Sequence, residues 1–102
     1  MVAIIDAQRS ELESLCRKHR VRRLEVFGSA TDGTFDHARS DIDFLVEYET
    51  LTPGDHYEAY FGLWKDLEVL FGRKVDLVEP QTLRNPYFIS EVNATRKLVY
   101  AA

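Results

Sequence analysis

Residues 26–46 read VFGSATDGTFDHARSDIDFLV, and the fold prediction starts from this segment. It runs from the end of one apolar segment through Gly28-Ser29 and a polar stretch into a second apolar segment that opens with Asp41-Ile42-Asp43. Short apolar segments bounded by Gly, Asp and Ser are typical of strands. We therefore predict strands at Val21–Phe27 and Asp41–Tyr48, joined by a mostly irregular segment, Ser29–Arg39, that begins with one helical turn.

The flanking segments predict helices and a third strand. Apolar residues recur at helical spacing from about Ile4 to His19 and, more strongly, from Tyr57 to Phe71, where Gly72 is expected to end the helix. The Pro-Gly dipeptide at positions 53 and 54 predicts a turn over Thr50–Asp55. The remaining predicted elements are a strand at Lys74–Glu79 and a helix at about Pro86–Val99.

The resulting order of elements predicts an α/β fold, or α+β by a stricter classification. Helices and strands mixed over this length favour a small mixed sheet of three or four strands with helices packed on one face. A chain of 102 residues fits a single domain, residues 1–102. The single cysteine, Cys16, excludes an intrachain disulfide and is predicted to lie in the core, because it falls on the apolar stripe of the first helix.

Composition limits the classes of partner and the cellular compartments that we expect for this chain. The net charge of −4 argues against a large nucleic-acid-binding surface, because affinity for phosphate backbones comes mainly from Lys and Arg. It remains compatible with a small anionic ligand held by metal ions and with a basic protein partner. The apolar runs are far shorter than the roughly 20 residues that cross a bilayer, and the N-terminus lacks a signal-peptide pattern. We expect a soluble cytoplasmic protein.

Asp41 and Asp43 form the most informative pair of charged residues. They lie two apart on a predicted strand, so both side chains project from one face while Ile42 and Phe44 point to the core face. Two adjacent carboxylates repel unless a cation lies between them or one takes up a proton. Magnesium commonly binds one or two carboxylates together with substrate phosphates. A solvated strand face would give the same spacing, so the pair alone leaves both interpretations open.

Asp76 and the Gly28-Ser29 dipeptide extend this pattern. Asp76 lies within the third predicted strand, where it is either an edge charge that prevents aggregation or, if that strand lies beside the Asp41–Asp43 strand, a third metal ligand. Gly28 permits close approach of a ligand, and a helical turn starting at Ser29 would direct N–H groups at a phosphate. Ser29 as a helix cap would explain the dipeptide equally well. The combination, and no single member of it, is specific.

Residues 26–30 and 39–46 resemble the Gly-Ser…Asp-x-Asp signature of the DNA-polymerase-β-like nucleotidyltransferases, and residues 71–78, FGRKVDLV, resemble the strand that carries the third carboxylate of that superfamily. The short length and the end segment from Leu83 to Tyr100 are similar to the minimal nucleotidyltransferase (MNT) antitoxins, which are paired with HEPN ribonuclease toxins. Many minimal members carry an Arg directly before the Gly at position 33. This chain has Asp32 there instead. Arg39 is the alternative basic residue.

The resemblance implies a function and a set of site residues. The reaction would be magnesium-dependent transfer of AMP from ATP to a hydroxyl, with a tyrosine of a HEPN toxin as acceptor, in an antitoxin that forms a hetero-oligomer with that toxin. Two Mg²⁺ ions would be bridged by the Asp pair, and no direct contact with nucleic acid or membrane is expected. The implied catalytic and metal-binding residues are Asp41, Asp43 and Asp76, and the implied nucleotide-binding residues are Gly28, Ser29 and Arg39.

Two alternatives stay open from the sequence. The chain could modify a small molecule, as antibiotic nucleotidyltransferases do, although those enzymes are longer than this chain and have a second domain. It could instead be a non-catalytic binding module that inhibits its partner by occlusion. Loss of any one of the three aspartates should abolish a transferase and spare a pure binder.

Overall fold

In the part of the chain that the structure describes, four strands form one mixed sheet in the order β3-β2-β1-β4. The computed structural model describes residues 2–32 and 41–102, with residue 32 described in its backbone only. The strands are β1 Val21–Phe27, β2 Ile42–Tyr48, β3 Val75–Val78 and β4 Lys97–Ala101. Strand β1 pairs antiparallel with both β2 and β4, whereas β2 pairs parallel with β3. The predicted fold class, a small mixed sheet with helices, is confirmed.

The helices differ from the predicted ones mainly at their ends. They are α1 Ala3–Asp6, α2 Arg9–Lys18, α3 Ser29–Asp32, α4 Pro53–Phe71 and α5 Pro86–Thr95, with a 3-10 turn at Pro80–Thr82. The first predicted helix is therefore divided into α1 and α2 by a turn at Ala7 and Gln8. The helical turn predicted after Gly28 is present as α3. No described helix is both long and apolar enough to cross a membrane.

One face of the sheet carries the main core. Ile42, Phe44 and Val46 of β2 are fully buried and pack with Leu24 and Val26 of β1. Helices α1, α2 and α4 cover this face with side chains that include Ile5, Leu12, Cys16, Leu63 and Leu67. Burying each large aliphatic or aromatic side chain contributes about 1.5–3 kcal/mol. The predicted alternation of strand residues and the predicted core position of Cys16 are both confirmed.

Helix α4 begins earlier than predicted. The Thr52 side chain accepts a hydrogen bond from the Asp55 N–H at 3.2 Å, and Pro53 occupies the first helical turn. The turn prediction for residues 53–55 is therefore wrong. Proline is as favourable at the first position of a helix as in a turn, because the N–H group that it lacks would have no partner there. At the other end, Gly72 adopts φ 62° and its N–H donates to the Glu68 carbonyl, which ends the helix as predicted.

The last predicted helix, Pro86–Val99, is also too long. Asn85 caps α5 by accepting from the Tyr87 N–H, the helix ends at Thr95, and the following residues form β4 beside β1. Helix α5 lies on the sheet face opposite the main core, where Val92 packs with Phe27 and Leu45. The expectation of helices on one face thus holds for α1, α2 and α4, and α5 is the exception.

Side chains of α4 cover the outer edge of β3. The Trp64 indole N–H donates to the Val75 carbonyl at 2.9 Å, and the Tyr60 hydroxyl donates to the Leu77 carbonyl. On the same edge, the Val75 N–H donates to the Glu68 carboxylate at 2.9 Å. An unpaired strand edge invites association with other chains. These three residues, spaced four apart on the helix, satisfy three backbone groups on the edge of β3 that no strand pairs.

Candidate active site

The sheet brings two of the predicted carboxylates together. Asp43 of β2 lies directly opposite Asp76 of β3 in the parallel register, and Phe27 of β1 lies on its other side. Asp41 directly precedes β2 and is two residues from Asp43, so both project toward the face that α5 partly covers. The condition set by the sequence, that the Asp76 strand lie beside the Asp41–Asp43 strand, is met.

The electrostatics at Asp43 are unfavourable to its charge. Burial raises the pKa of Asp43 to about 7, with further upward contributions from its hydrogen bond with Asp76 and from the charges of Asp76, Asp41 and Glu91. Two carboxyl groups share a hydrogen bond only if one of them carries the proton. At neutral pH and without a cation, this cluster therefore holds a proton that an isolated aspartate would have lost.

The Gly28 backbone touches the same carboxylate. Gly28 adopts φ 74°, and a Cβ added there would lie 2.6 Å from the Asp43 Oδ2 atom. Any side chain would thus be strained in its backbone and would displace the carboxylate. The Thr31 N–H and hydroxyl both donate to the Gly28 carbonyl at 2.9 Å, which fixes the turn into α3. Ser29 is half-buried at the start of α3.

Helix α5 supplies two residues that the sequence did not single out. The Thr95 hydroxyl accepts from the Gly28 N–H at 2.9 Å and donates to the Glu91 carbonyl at 2.9 Å. Glu91 itself adds negative charge near Asp43. Neither residue belongs to a recognisable motif, and both fall within a helix that was predicted only as an element. Their role depends on α5 packing against Phe27 and Leu45, which no local pattern reveals.

A cleft of about 430 Å³ opens at the paired carboxylates. Its walls include Asp43 and Asp76, the α4 residues Tyr60 and Trp64, and the ring pair of Phe27 and Phe88, whose centroids lie 5.8 Å apart. Apolar walls with a few convergent polar groups are typical of ligand sites. Arg39, the predicted basic contact, lies outside the residues that the structure describes.

The donor chemistry suits a hard divalent cation. In the described part of the chain, no three His, Cys, Asp or Glu side chains already form a ligand cluster. Asp43 and Asp76 nonetheless share a hydrogen bond that ionised carboxylates could not keep, and a cation between them would replace the proton. Carboxylate oxygens together with substrate phosphates are a normal coordination set for Mg²⁺. The residues present therefore fit Mg²⁺, the metal that the sequence resemblance implies.

Comparison with known proteins identifies the family. Residues 9–99 match the family model described as "Nucleotidyltransferase domain", which covers the chain from α2 to β4. The chain belongs to this family. It is a nucleotidyltransferase, and the expected resemblance to the minimal nucleotidyltransferases is confirmed.

Relatives and solved structures agree with this assignment. Two proteins of Methanocaldococcus jannaschii are each named "Putative protein adenylyltransferase". One is 39% identical over 82% of this chain and 82% of its own length. The other is 34% identical over 76% of this chain and 84% of its own length. A structure described as a "putative minimal nucleotidyltransferase" is 32% identical with a TM-score of 0.66, covering 94% of this chain and 93% of its own.

Two toxin–antitoxin complexes share the fold of this nucleotidyltransferase. One, a toxin–antitoxin with AMP-PNP, is 24% identical with a TM-score of 0.66, over 92% of this chain and 73% of that one. The other, an MNT antitoxin with a tri-AMPylated HEPN toxin of Shewanella oneidensis, is 20% identical with a TM-score of 0.63, over 96% and 73%. At these identities the likeness shows the fold alone.

Proposed function

We propose that this nucleotidyltransferase transfers AMP from ATP, with Mg²⁺, to a tyrosine hydroxyl of a HEPN ribonuclease toxin in the cytoplasm, and that it acts as the antitoxin of that toxin. The observation that carries the proposal is the register of Asp43 with Asp76, beside a Gly28 backbone that leaves no room for a side chain. The names of the two 34–39% identical relatives support AMP as the transferred group and a protein as the acceptor.

Each site residue has a task in this reaction. Asp41 and Asp43 would hold the two Mg²⁺ ions, and Asp76 would supply a further metal ligand on the side of the acceptor hydroxyl; when bound, the ions would neutralise charge on the reacting phosphate. Ser29 binds the β- and γ-phosphates, and Arg39 is the basic residue proposed to help. The Gly28 N–H already donates to the Thr95 hydroxyl. Gly28 therefore contributes mainly the shape of the turn and not a hydrogen-bond donor to the phosphates.

The chemical step is an in-line displacement at the α-phosphorus. The acceptor oxygen forms a bond to phosphorus while the bond to the β-phosphate oxygen breaks, and pyrophosphate leaves. The hydroxyl proton passes to Asp76, which is exposed and lies on the outer strand of the pair. Fixing the α-phosphorus against the acceptor supplies much of the rate. A bulky anionic nucleotide near the ribonuclease site of the toxin would then block RNA binding by charge and by volume.

The test is transfer to a HEPN protein encoded beside this chain, followed by intact mass. With Mg-ATP the wild type should add one or more AMP units to the partner. Asp43→Asn should lower the rate roughly 10³-fold, because metal stabilisation of the transition state is worth several kcal/mol. Asp55→Asn is the matched control, since its half-exposed side chain lies at the start of α4, away from the cleft. Complex formation should survive both substitutions.

Two results would reject the proposal. If Asp43→Asn neutralises the toxin fully in cells without any mass change on the partner, inhibition is by occlusion and the chain acts as a binding module. If the wild type modifies a small hydroxyl compound and never the HEPN protein, the acceptor class is wrong.

A further inference from the structure

Three exposed aromatic side chains form a row on α4. Tyr57, Phe61 and Trp64 are 66%, 46% and 37% exposed, and their rings contact one another with centroids 4.7 and 6.4 Å apart. We call these three residues the aromatic stripe. Tyr60 packs beneath it, 5.1 Å from Phe61 in an edge-to-face arrangement. Contiguous exposed apolar surface of this kind marks interaction sites on soluble domains.

The aromatic stripe is continuous with the carboxylate cleft. Trp64 belongs to both, because its indole N–H is fixed on the Val75 carbonyl of β3 while its ring lines the cleft that holds Asp76. A molecule seated on the aromatic stripe therefore reaches the cleft at β3, at the Asp76 side. Gly28 follows β1, two strands away, a separation of about 10 Å at the usual strand spacing. The aromatic stripe thus leads to Asp76, where the acceptor hydroxyl is proposed to bind, and not to the Gly28-Ser29 turn, where the phosphates are proposed to bind.

Charge beside the aromatic stripe favours a basic occupant. A second hollow, of about 350 Å³, lies along Tyr57 and Phe61 and contains Glu79, whose carboxylate meets His56 at 2.6 Å. Among the described residues, neither this hollow nor the cleft is lined by a Lys or Arg. An Arg or Lys of a partner could stack on an aromatic ring and face a carboxylate at once, which is a favourable cation–π arrangement.

We propose that the aromatic stripe is the docking surface for the protein acceptor, which presents Arg or Lys side chains beside its acceptor hydroxyl. The inference rests on the proposed function and names the part of the surface that recognises the acceptor. Stable complexes bury about 800 Å² on each partner, and Trp, Tyr and Arg supply most of the binding free energy. The three rings are the anchors of such an interface and direct the bound hydroxyl toward Asp76.

The experiment compares charge insertions on two different sides of one helix. Tyr57→Glu and Phe61→Glu alter the aromatic stripe, and Val69→Glu is the matched control, being 76% exposed on α4 and bordering a separate groove against α2. The probe is the purified HEPN protein encoded beside this chain. Initial rates of AMP transfer against its concentration give KM and kcat, titration calorimetry without ATP gives Kd, and the melting shift with Mg-ATP reports the nucleotide site.

We expect both stripe variants to raise KM and Kd for the HEPN protein at least tenfold, with the Mg-ATP melting shift unchanged. Val69→Glu should match the wild type in every measurement, and Tyr57→Phe should restore the binding that Tyr57→Glu loses. An unchanged KM and Kd in the stripe variants would overturn the proposal. So would an equal loss in Val69→Glu, or a loss of the Mg-ATP shift together with binding.

Two further outcomes are separable. Wild-type binding without AMP transfer would reject the proposed function, and the Kd values of the variants would still decide the docking surface. If light scattering shows that the wild type self-associates and that the stripe variants do not, a second copy occupies the aromatic stripe and the proposal fails. Absence of any wild-type binding to the HEPN protein would overturn it as well.

Discussion

Glu25 and Asp43 lie on the same face of the sheet, but the charges around their carboxylates are opposite in sign. Glu25 of β1 is 6% exposed, yet the guanidinium groups of Arg23 and Arg96 lie 3.0 and 3.5 Å from its oxygens. Asp43, one strand away, is surrounded by Asp76, Asp41 and Glu91. A buried carboxylate is tolerated when it is paired and costly when it is not. Among the described residues, Glu25 therefore has compensating charges and Asp43 has none.

The contrast indicates which carboxylate serves structure and which serves chemistry. Arg23 and Arg96 come from β1 itself and from the residue that links α5 to β4, so the Glu25 pairing ties the end of α5 to the sheet. Among the described residues, the charged neighbours of Asp43 only add like charge, and a folded domain keeps such an arrangement where an external cation completes it. We expect substitutions of the two carboxylates by their amides to have opposite signs on stability.

The largest effect is expected at Asp43 without metal. The pKa of the Asp43 carboxyl is the ordinary 3.8 in the unfolded chain and about 7 in the folded one, so the folded state binds more protons between these values. Stability of the metal-free wild type should therefore fall as pH rises from about 4 to about 7 and then level off. Asp43→Asn should remove this fall and gain about 2 kcal/mol at pH 8, a discounted figure because solvent reaches the carboxylate.

Urea unfolding in EDTA across this pH range measures the prediction directly. Saturating Mg-ATP should reverse the order of the two proteins, because only the wild type retains all three metal-binding carboxylates. A metal-free Asp43→Asn protein that is less stable than the wild type at pH 8 would mean that the carboxylate is compensated after all.

The second prediction concerns Glu25→Gln, which should lower stability by about 1–2 kcal/mol at neutral pH. The substitution leaves two guanidinium groups without their charged partner, but both are partly exposed, so the loss stays below that of a fully buried pair. Urea unfolding with and without Mg-ATP checks it. The Mg-ATP stabilisation itself should be unchanged. Equal stability of Glu25→Gln and wild type would show that the ion pairs contribute nothing net.

The sequence predicted one member of this comparison and missed the other for a physical reason. The Asp41–Asp43 spacing and the strand around Asp76 are local patterns, and strand β1 was predicted with its observed ends. The burial of Glu25 and its pairing with Arg96 depend on β4, which returns beside β1 only after α5. Residues 97–99 were predicted as the end of a helix, because nothing local shows that β1 has a second edge to pair.

The same limit explains what was missed at the site. The Gly28-Ser29 turn was identified from sequence, but its anchor on Thr95 is a contact between residues 67 positions apart. Helix α5 was predicted as an element, and its packing on the Phe27–Leu45 face was not. Periodicity assigns helices and strands, whereas pairing and docking of distant elements decide which polar side chains meet.

The smallest effect is expected at Thr95, and it tests whether α5 serves the site as well as the fold. The Thr95 hydroxyl links the Gly28 N–H to the Glu91 carbonyl through two bonds of 2.9 Å. Thr95→Val keeps the shape of the side chain and removes both bonds, at a cost of about 1 kcal/mol in unfolding free energy. Because Gly28 lies against Asp43, a freed turn should also raise the KM for ATP several-fold while kcat at saturating ATP changes less.

Thr95→Ser separates the hydroxyl from the methyl group. If the hydroxyl positions the turn, Thr95→Ser should recover the wild-type KM for ATP even where the lost methyl group lowers stability slightly. If Thr95→Ser and Thr95→Val share the wild-type KM and differ only in stability, Thr95 merely joins α5 to the sheet. If both raise KM equally, packing of the methyl group against the turn matters and the hydroxyl does not. Steady-state kinetics at saturating acceptor, with melts of the same samples, distinguish the three cases.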